Sequence, residues 1–289
     1  MKSLRNKVIL SGIVLLFAFI ATIGSTYAWF TVSSSTQIET MQLNVTAADN
    51  LLLRVKTGAA GETLSFLQDA SNYKTYIEVA DLIAAGYLQD DVDTPWRLQP
   101  STVLSDVSRM TYLPNILNRT YVAAIPNDYN GQYIHLEFWL LSQSEDDKII
   151  QLSDFAIDAE GIGSNTTEQA FVENAVRLAI WLDDTTHGGV GAVGEGTMYL
   201  FGNDFDYDFT FIEGMEGYDD TVTANNVAPD QTGFTVNTTT SSTDLYTVKF
   251  NVPTLVNVII YIEGWDAQAS NDIILAVFQV AFGFKYKEA

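Results

Sequence analysis

The chain contains no cysteine, so disulfide frameworks, thiolate metal sites and thiol nucleophiles are all excluded. It has two histidines, His135 and His187, too far apart for the metalloprotease arrangement of two imidazoles one helical turn apart beside a glutamate. Bases are scarce: 14 Lys and Arg stand against 36 Asp and Glu, a formal net charge of −22. Such a surface repels phosphate backbones, which excludes nucleic acid as a partner and favours solubility, cation binding and a charged cell-surface coat. There is no Gly-x-Ser-x-Gly elbow, and the Gly189, Gly191, Gly194 spacing of "GGVGAVG" lacks the strand, helix and downstream acid of a dinucleotide site. Apolar residues are plentiful at 47%, with 12% aromatic, so a chain of 289 residues can bury a large core.

Its one long apolar run comes first. "MKSLRNK", Met1 to Lys7, holds three bases and no acid, and Val8 to Ile23 follows as "VILSGIVLLFAFIATI". Thr26 and Ala28 are small residues at the minus-three and minus-one positions of a cut between Ala28 and Trp29, which predicts a signal peptide over residues 1–28. The alternative is a retained single-span anchor, with Tyr27, Trp29 and Phe30 as an interfacial aromatic belt. Either way the bases flank only the N-terminal side, placing the remainder outside the cytoplasm, either extracellular or at the cell surface. Beyond the cut, 11 bases face 36 acids, a net charge of −25.

The remainder is patterned mainly for strands. "QYIHLEFWLLS" sets Ile134, Leu136, Phe138 and Leu140 on one face against Tyr133, His135, Glu137 and Trp139 on the other. "NAVRLAIWLDD" sets Val176, Leu178, Ile180 and Leu182 against Arg177 and Trp181, and "IILAVFQVAFGFKYK" alternates from Ile274 to Phe284. Leu51 to Val55 is a further strand, and Ile38, Met41, Leu43 and Val45 mark an irregular one. Period-two alternation implies antiparallel sheets with differently solvated faces. The predicted fold is therefore all-β, an antiparallel β-sandwich of jelly-roll-like or immunoglobulin-like type, filling one domain over residues 29–289. One or two short helices are inserted. One of them is predicted within Tyr73–Leu88, where Tyr76, Ile77, Ala80, Ile83, Ala84, Tyr87 and Leu88 recur at helical spacing. The Pro95- and Pro100-containing stretch after it reads as a long surface connection.

Two stretches carry chemistry. Asp204, Asp206 and Asp208 alternate with aromatic residues, and Glu213 follows. A strand would project the three aspartates from one face about 7 Å apart, too wide to share one calcium ion at 2.3–2.6 Å without a bend. Calcium is thus an optional ligand and no cofactor is required. The other stretch, "IEGWDAQASND", puts Trp265 in a hairpin, either capping the sandwich or offering an indole on which a sugar ring stacks.

The leader ending "GSTYAWFT", the segment "STQIETMQLNVTAADNLLLRV" after it and the acidic cysteine-free β body resemble the TasA and camelysin type of exported Firmicutes proteins. The resemblance covers about the first 55 residues and, through "VIIYIEGWDAQASNDIILAVFQVAFGF", the last 35. It implies a jelly-roll subunit of a biofilm fibre, released by a dedicated signal peptidase, whose partner is another copy of itself. Fibre subunits of that type can join by donating an N-terminal strand. Here the donor would lie within residues 29–45, with Trp29, Phe30, Val32, Ile38, Met41 and Leu43 as its apolar residues. Protease activity described for camelysin-type members does not carry over, because no metal motif is present. A second expectation is a surface module binding glycan or cell-wall polymer through an exposed Trp265, Trp181 or Trp139.

Overall fold

The computed structural model describes residues 36–38, 45–47, 50–58, 61–88, 96–103, 110–112, 122–128, 131–160, 166–182, 198–203, 234–238, 243–264 and 277–288. Sixteen strands run through them. They are β1 (Thr36–Ile38), β2 (Val45–Ala47), β3 (Leu51–Val55), β4 (Tyr76–Ile77), β5 (Trp96–Leu98), β6 (Thr102–Val103), β7 (Met110–Tyr112) and β8 (Val122–Ala123), then β9 (Tyr133–Ser142), β10 (Lys148–Glu160), β11 (Val176–Leu182), β12 (Met198–Gly202), β13 (Phe234–Thr238), β14 (Asp244–Val248), β15 (Thr254–Ile262) and β16 (Val277–Tyr286).

Two sheets dominate, in the orders β14-β10-β16-β2-β4 and β13-β12-β11-β15-β9-β3. Their facing residues join one core: Ile150, Leu152, Phe278, Val280, Phe282 and Phe284 from the first sheet, and Leu53, Leu136, Phe138, Leu178, Val258 and Ile260 from the second. Phe138 meets Phe282 edge-on at 6.2 Å between ring centroids, and Tyr199 meets Tyr246 at 5.8 Å. The chain is therefore an all-β sandwich. Alternation predicted the inward faces of β9, β11 and β16 because each pleat sends every second side chain to that shared core.

Between these strands the pairing is antiparallel with two exceptions. β12 runs parallel to β13, and β2 runs parallel to β16. Two smaller sheets, β1-β5 and β6-β7-β8, lie beside the main ones. The proline-containing connection is therefore more than surface chain, since it supplies β5 and β6 and buries Leu98 completely.

The helix expected within Tyr73–Leu88 is shorter than its periodicity suggests. Tyr76–Ile77 is strand β4, pairing antiparallel with β2, and only Val79–Ala84 is helical. Asp81 in the first turn accepts from the Glu78 backbone N–H at 3.0 Å, which starts the helix there, and Gly86 at φ +83° follows its end. The fully buried position is Leu82, with Val79 and Ile83 beside it, whereas Tyr76, Ala80 and Ala84 are exposed. The described residues hold three α-helices, Leu64–Leu67, Val79–Ala84 and Thr166–Ala175, one more than the largest number expected. None is long and apolar enough to cross a membrane; the leader lies outside the described residues.

A tyrosine in the core between the sheets is imperfectly satisfied. Tyr246 is fully buried and its hydroxyl has no hydrogen-bond partner among the described residues, and burial pushes its pKa well up. A buried unpaired hydroxyl costs on the order of 1 kcal/mol or more. Tyr246→Phe is expected to raise stability by about that amount in urea unfolding. A loss of stability would mean the hydroxyl is paired in solution.

Candidate functional site

The outer face of the second sheet carries the most varied chemistry among the described residues. Side chains facing away from the core alternate with Val55, Leu136, Phe138, Val256, Val258, Ile180 and Leu182, all of which point inward. Register then places four outward residues in one row across four strands. Lys56, just past β3, donates its backbone N–H to Glu137 O at 3.0 Å; Glu137 pairs with Asn257, and Asn257 with Trp181. Directly opposed residues in a ladder bring their Cβ atoms to about 5 Å, so the four side chains form one contiguous strip.

The strip is held from both ends. Lys56 Nζ donates to Glu137 Oε1 at 2.6 Å, and the Tyr87 hydroxyl donates to Glu137 Oε2 at 3.1 Å. Both ions keep part of their surface in water, 28% for Lys56 and 22% for Glu137, so solvent screens the pair. Burial first, and then the Glu137 charge, push the Tyr87 phenol far above its ordinary pKa, keeping it a donor at any physiological pH. At the other end His135 stacks on Trp181, centroids 5.5 Å apart and planes at 21°. His135 Nε2 donates to Asn257 Oδ1 at 3.0 Å.

β3 ends before it reaches His135, so the backbone of β9 would lose its ladder partner there. The Asn127 side chain replaces the missing strand: its Oδ1 accepts from His135 N–H at 2.8 Å and its Nδ2 donates to His135 O at 2.9 Å. Asn127 does this from a left-handed backbone, φ +52°, a conformation asparagine tolerates well. His135 is thereby fixed in main chain and ring.

Apolar patches flank the strip. Trp139, Leu141 and Leu255 are covered by Leu67 and Tyr73, with the Tyr73 hydroxyl donating to Leu67 O at 2.7 Å; Ala179, Leu200, Ile259 and Tyr261 form the patch on the other side. Trp139 is only 3% exposed, which removes it as a stacking platform. Trp181 remains partly exposed. Within the strip, Asn257 is 4% exposed, and its Nδ2, closed off from solvent, has no partner among the described residues.

A separate concavity of about 200 Å³ opens beside β3, between Leu53, Val55, Ile77, Ala84 and Ala85. It is smaller than an ordinary ligand cavity. Its Lys74 and Asp81 are bonded to each other at 2.6 Å, a contact that raises the lysine pKa and, against the opposing effect of burial, lowers that of the aspartate. Arg54, which also lines it, faces Glu62 at 3.6 Å, so its charged groups are already paired.

Of the residues singled out in the sequence, Ile38 lies in β1, paired with Trp96. Ala28, Trp29, Phe30, Val32, Met41, Leu43, Asp204, Asp206, Asp208, Glu213 and Trp265 lie outside the described residues. The strand leading to Trp265 is pinned at its end, where Gly264 N–H donates to Ser101 O at 2.8 Å. Among the described residues no three acids and histidines gather as a metal site would require. Sequence reasoning missed Asn257 and Lys56 because each joins the strip through pairings distant in sequence. No family model, curated protein or solved structure matches the chain.

Proposed function

We propose that this protein is a secreted structural subunit of an extracellular fibre, biofilm matrix or cell-surface layer, whose copies assemble by donating an N-terminal strand. The observation that carries this reading is the way the N-terminal part joins the sandwich. β2 pairs with β16 over three residues only, Val45–Phe282 to Ala47–Phe284, and in parallel.

The finer architecture supports it. The antiparallel pairs β11 with β12, β10 with β14 and β9 with β15 nest one outside the next, as in a jelly roll made by rolling up one long ribbon. β2 with β16 would be the outermost pair of that ribbon, and it alone runs the other way. We therefore read the fold as a jelly roll whose first strand enters from the opposite direction.

Parallel pairs are slightly weaker per residue, and β2 is held by only three residue pairs to β16 on one side and two to β4 on the other. Exchange of a weakly held terminal element between identical chains is a low-cost route to assembly. The leader supplies export, and cleavage after Ala28 would free Trp29 as the terminus of the donor. The donated strand would gain main-chain hydrogen bonds along a neighbour's sheet, with alternate side chains giving register.

Electron microscopy of the purified exported protein tests the reading. Filaments or sheets with one sandwich per repeat are expected, together with concentration-dependent mass in solution. A single monomeric species at every concentration would overturn it.

A further inference from the structure

We propose that the slot between β16 and β4, filled by the chain's own β2, is where each copy receives β2 from its neighbour, with the residues between Ala47 and Leu51 as the hinge. This rests on the strand-donation reading and names both its acceptor and its pivot. The walls of the slot are fastened by elements other than β2. On its far side β16 pairs with β10 over nine residue pairs. β4 is anchored beside β3, where Leu53 N–H donates to Lys74 O at 2.7 Å and Lys74 N–H to Leu53 O at 2.8 Å, and the helix after it buries Leu82 completely. Withdrawal of β2 therefore leaves a formed slot, with Phe282, Gly283 and Phe284 along one side and Tyr76 and Ile77 along the other.

An empty slot would expose two rows of unpaired main-chain groups within a sheet, so a second strand must replace the one that leaves. The strand that fits is β2 of another copy. Its register, Val45 to Ala47 against Phe282 to Phe284 and Val45 and Thr46 against Ile77 and Tyr76, is present in every copy. Those contacts are the same whichever copy supplies them, so they cancel between the closed monomer and the exchanged form. The balance is left to the hinge and to the segment ahead of the strand. Only three residues carry the chain from β2 in one sheet to β3 in the other, and the last of them, Asn50, has a left-handed backbone at φ +68°. A short, turned connection favours exchange, because straightening it releases the turn and sends the strand outward. Each copy gives one strand and takes one, a head-to-tail contact that propagates into a filament wherever the rotation between copies does not close a ring.

The substitutions Thr46→Cys and Tyr76→Cys test it, since the chain has no cysteine of its own. The two residues are opposed across β2 and β4, next to the bond from Ala47 N–H to Thr75 O at 2.9 Å. Theirs is therefore a non-hydrogen-bonded pair with Cα atoms about 4.5 Å apart, within reach of a disulfide. Tyr76 is half exposed, so its replacement removes no core packing. The exported Thr46→Cys/Tyr76→Cys protein, oxidised as a dilute monomer, is expected to hold β2 in its own slot and to form no filaments until reduced. A mixture of the two single variants is expected to give disulfide-linked dimers on denaturing gels after assembly and none before it, a result that does not depend on the double variant folding. Filaments from the oxidised double variant, or no linked dimers from the assembled mixture, would overturn the slot as acceptor and leave the fibre reading in place. Absence of filaments from the unaltered exported chain would overturn both.

Discussion

Phe282→Ala is expected to cost about 3–5 kcal/mol in equilibrium urea unfolding, the largest loss of any single truncation considered. Phe282 is fully buried in the middle of β16, edge-on to Phe138 of the opposite sheet at 6.2 Å and to Phe284 at 6.0 Å. Removing the ring leaves a cavity between two sheets whose strands are too firmly paired to close over it, so both the transfer and the cavity contributions are lost. Proteins of this kind have only ~5–15 kcal/mol of stability to lose. Because Phe282 is also the residue paired with Val45, the same substitution is expected to loosen the hold of β2. Phe282→Leu refills part of the space and should recover more than half of the loss. A cost below about 1 kcal/mol for the alanine variant would mean that the sheets do not share the core described.

The sequence made this core legible where strands are long and one face is buried. Phe278, Val280, Phe282 and Phe284 could be named from alternation alone, as could Ile134 to Leu140 and Val176 to Leu182, because a two-residue period allows only one assignment of faces. Alternation failed where both faces are covered. All nine residues of β15 are buried, and Trp139, placed outward by the pattern correctly, is closed over by the Leu64–Leu67 helix and Tyr73. The helical periodicity of Tyr73–Leu88 misled for a related reason: Ile77 is buried as a strand residue by its pairing with Val45, not as part of a helical face. Parallel pairing of β2 had no local signal at all, since direction is set by where the partner strand lies.

The strip was legible only in halves. His135, Glu137 and Trp181 were visible as outward positions, but their union with Lys56 and Asn257 depends on the order β11-β15-β9-β3, which brings together residues up to 201 positions apart, Lys56 and Asn257. Strand order in a sandwich is decided by packing of whole sheets and by long connections, neither of which leaves a mark at single positions.

Deleting Trp29 to Ser35 from the exported chain is expected to leave a folded, soluble monomer and to abolish filaments. The deletion stops short of Thr36, where β1 begins its pairing with Leu98, so every described strand is retained. What it removes is the apolar trio Trp29, Phe30 and Val32, which the proposed cut would place at the terminus. On the proposed reading each of these side chains would be buried in a neighbour and contribute ~1.5 to 3 kcal/mol, so losing all three would weaken each junction by several powers of ten. The polar run Ser33 to Ser35 adds slack but little affinity. Replacing only Trp29 and Phe30 by serine keeps the length and backbone of the donor and should weaken assembly nearly as much, which separates side-chain anchoring from main-chain pairing. Unfolding in urea should be unchanged in both variants if the segment serves the neighbour and not its own sandwich, whose described core is built from Leu51 onward. Filaments of unaltered morphology from the deleted chain would refute donation through this segment. They would leave lateral contacts between sandwiches, or pairing along a sheet edge such as β13, which has one neighbour among the described residues, as the means of assembly.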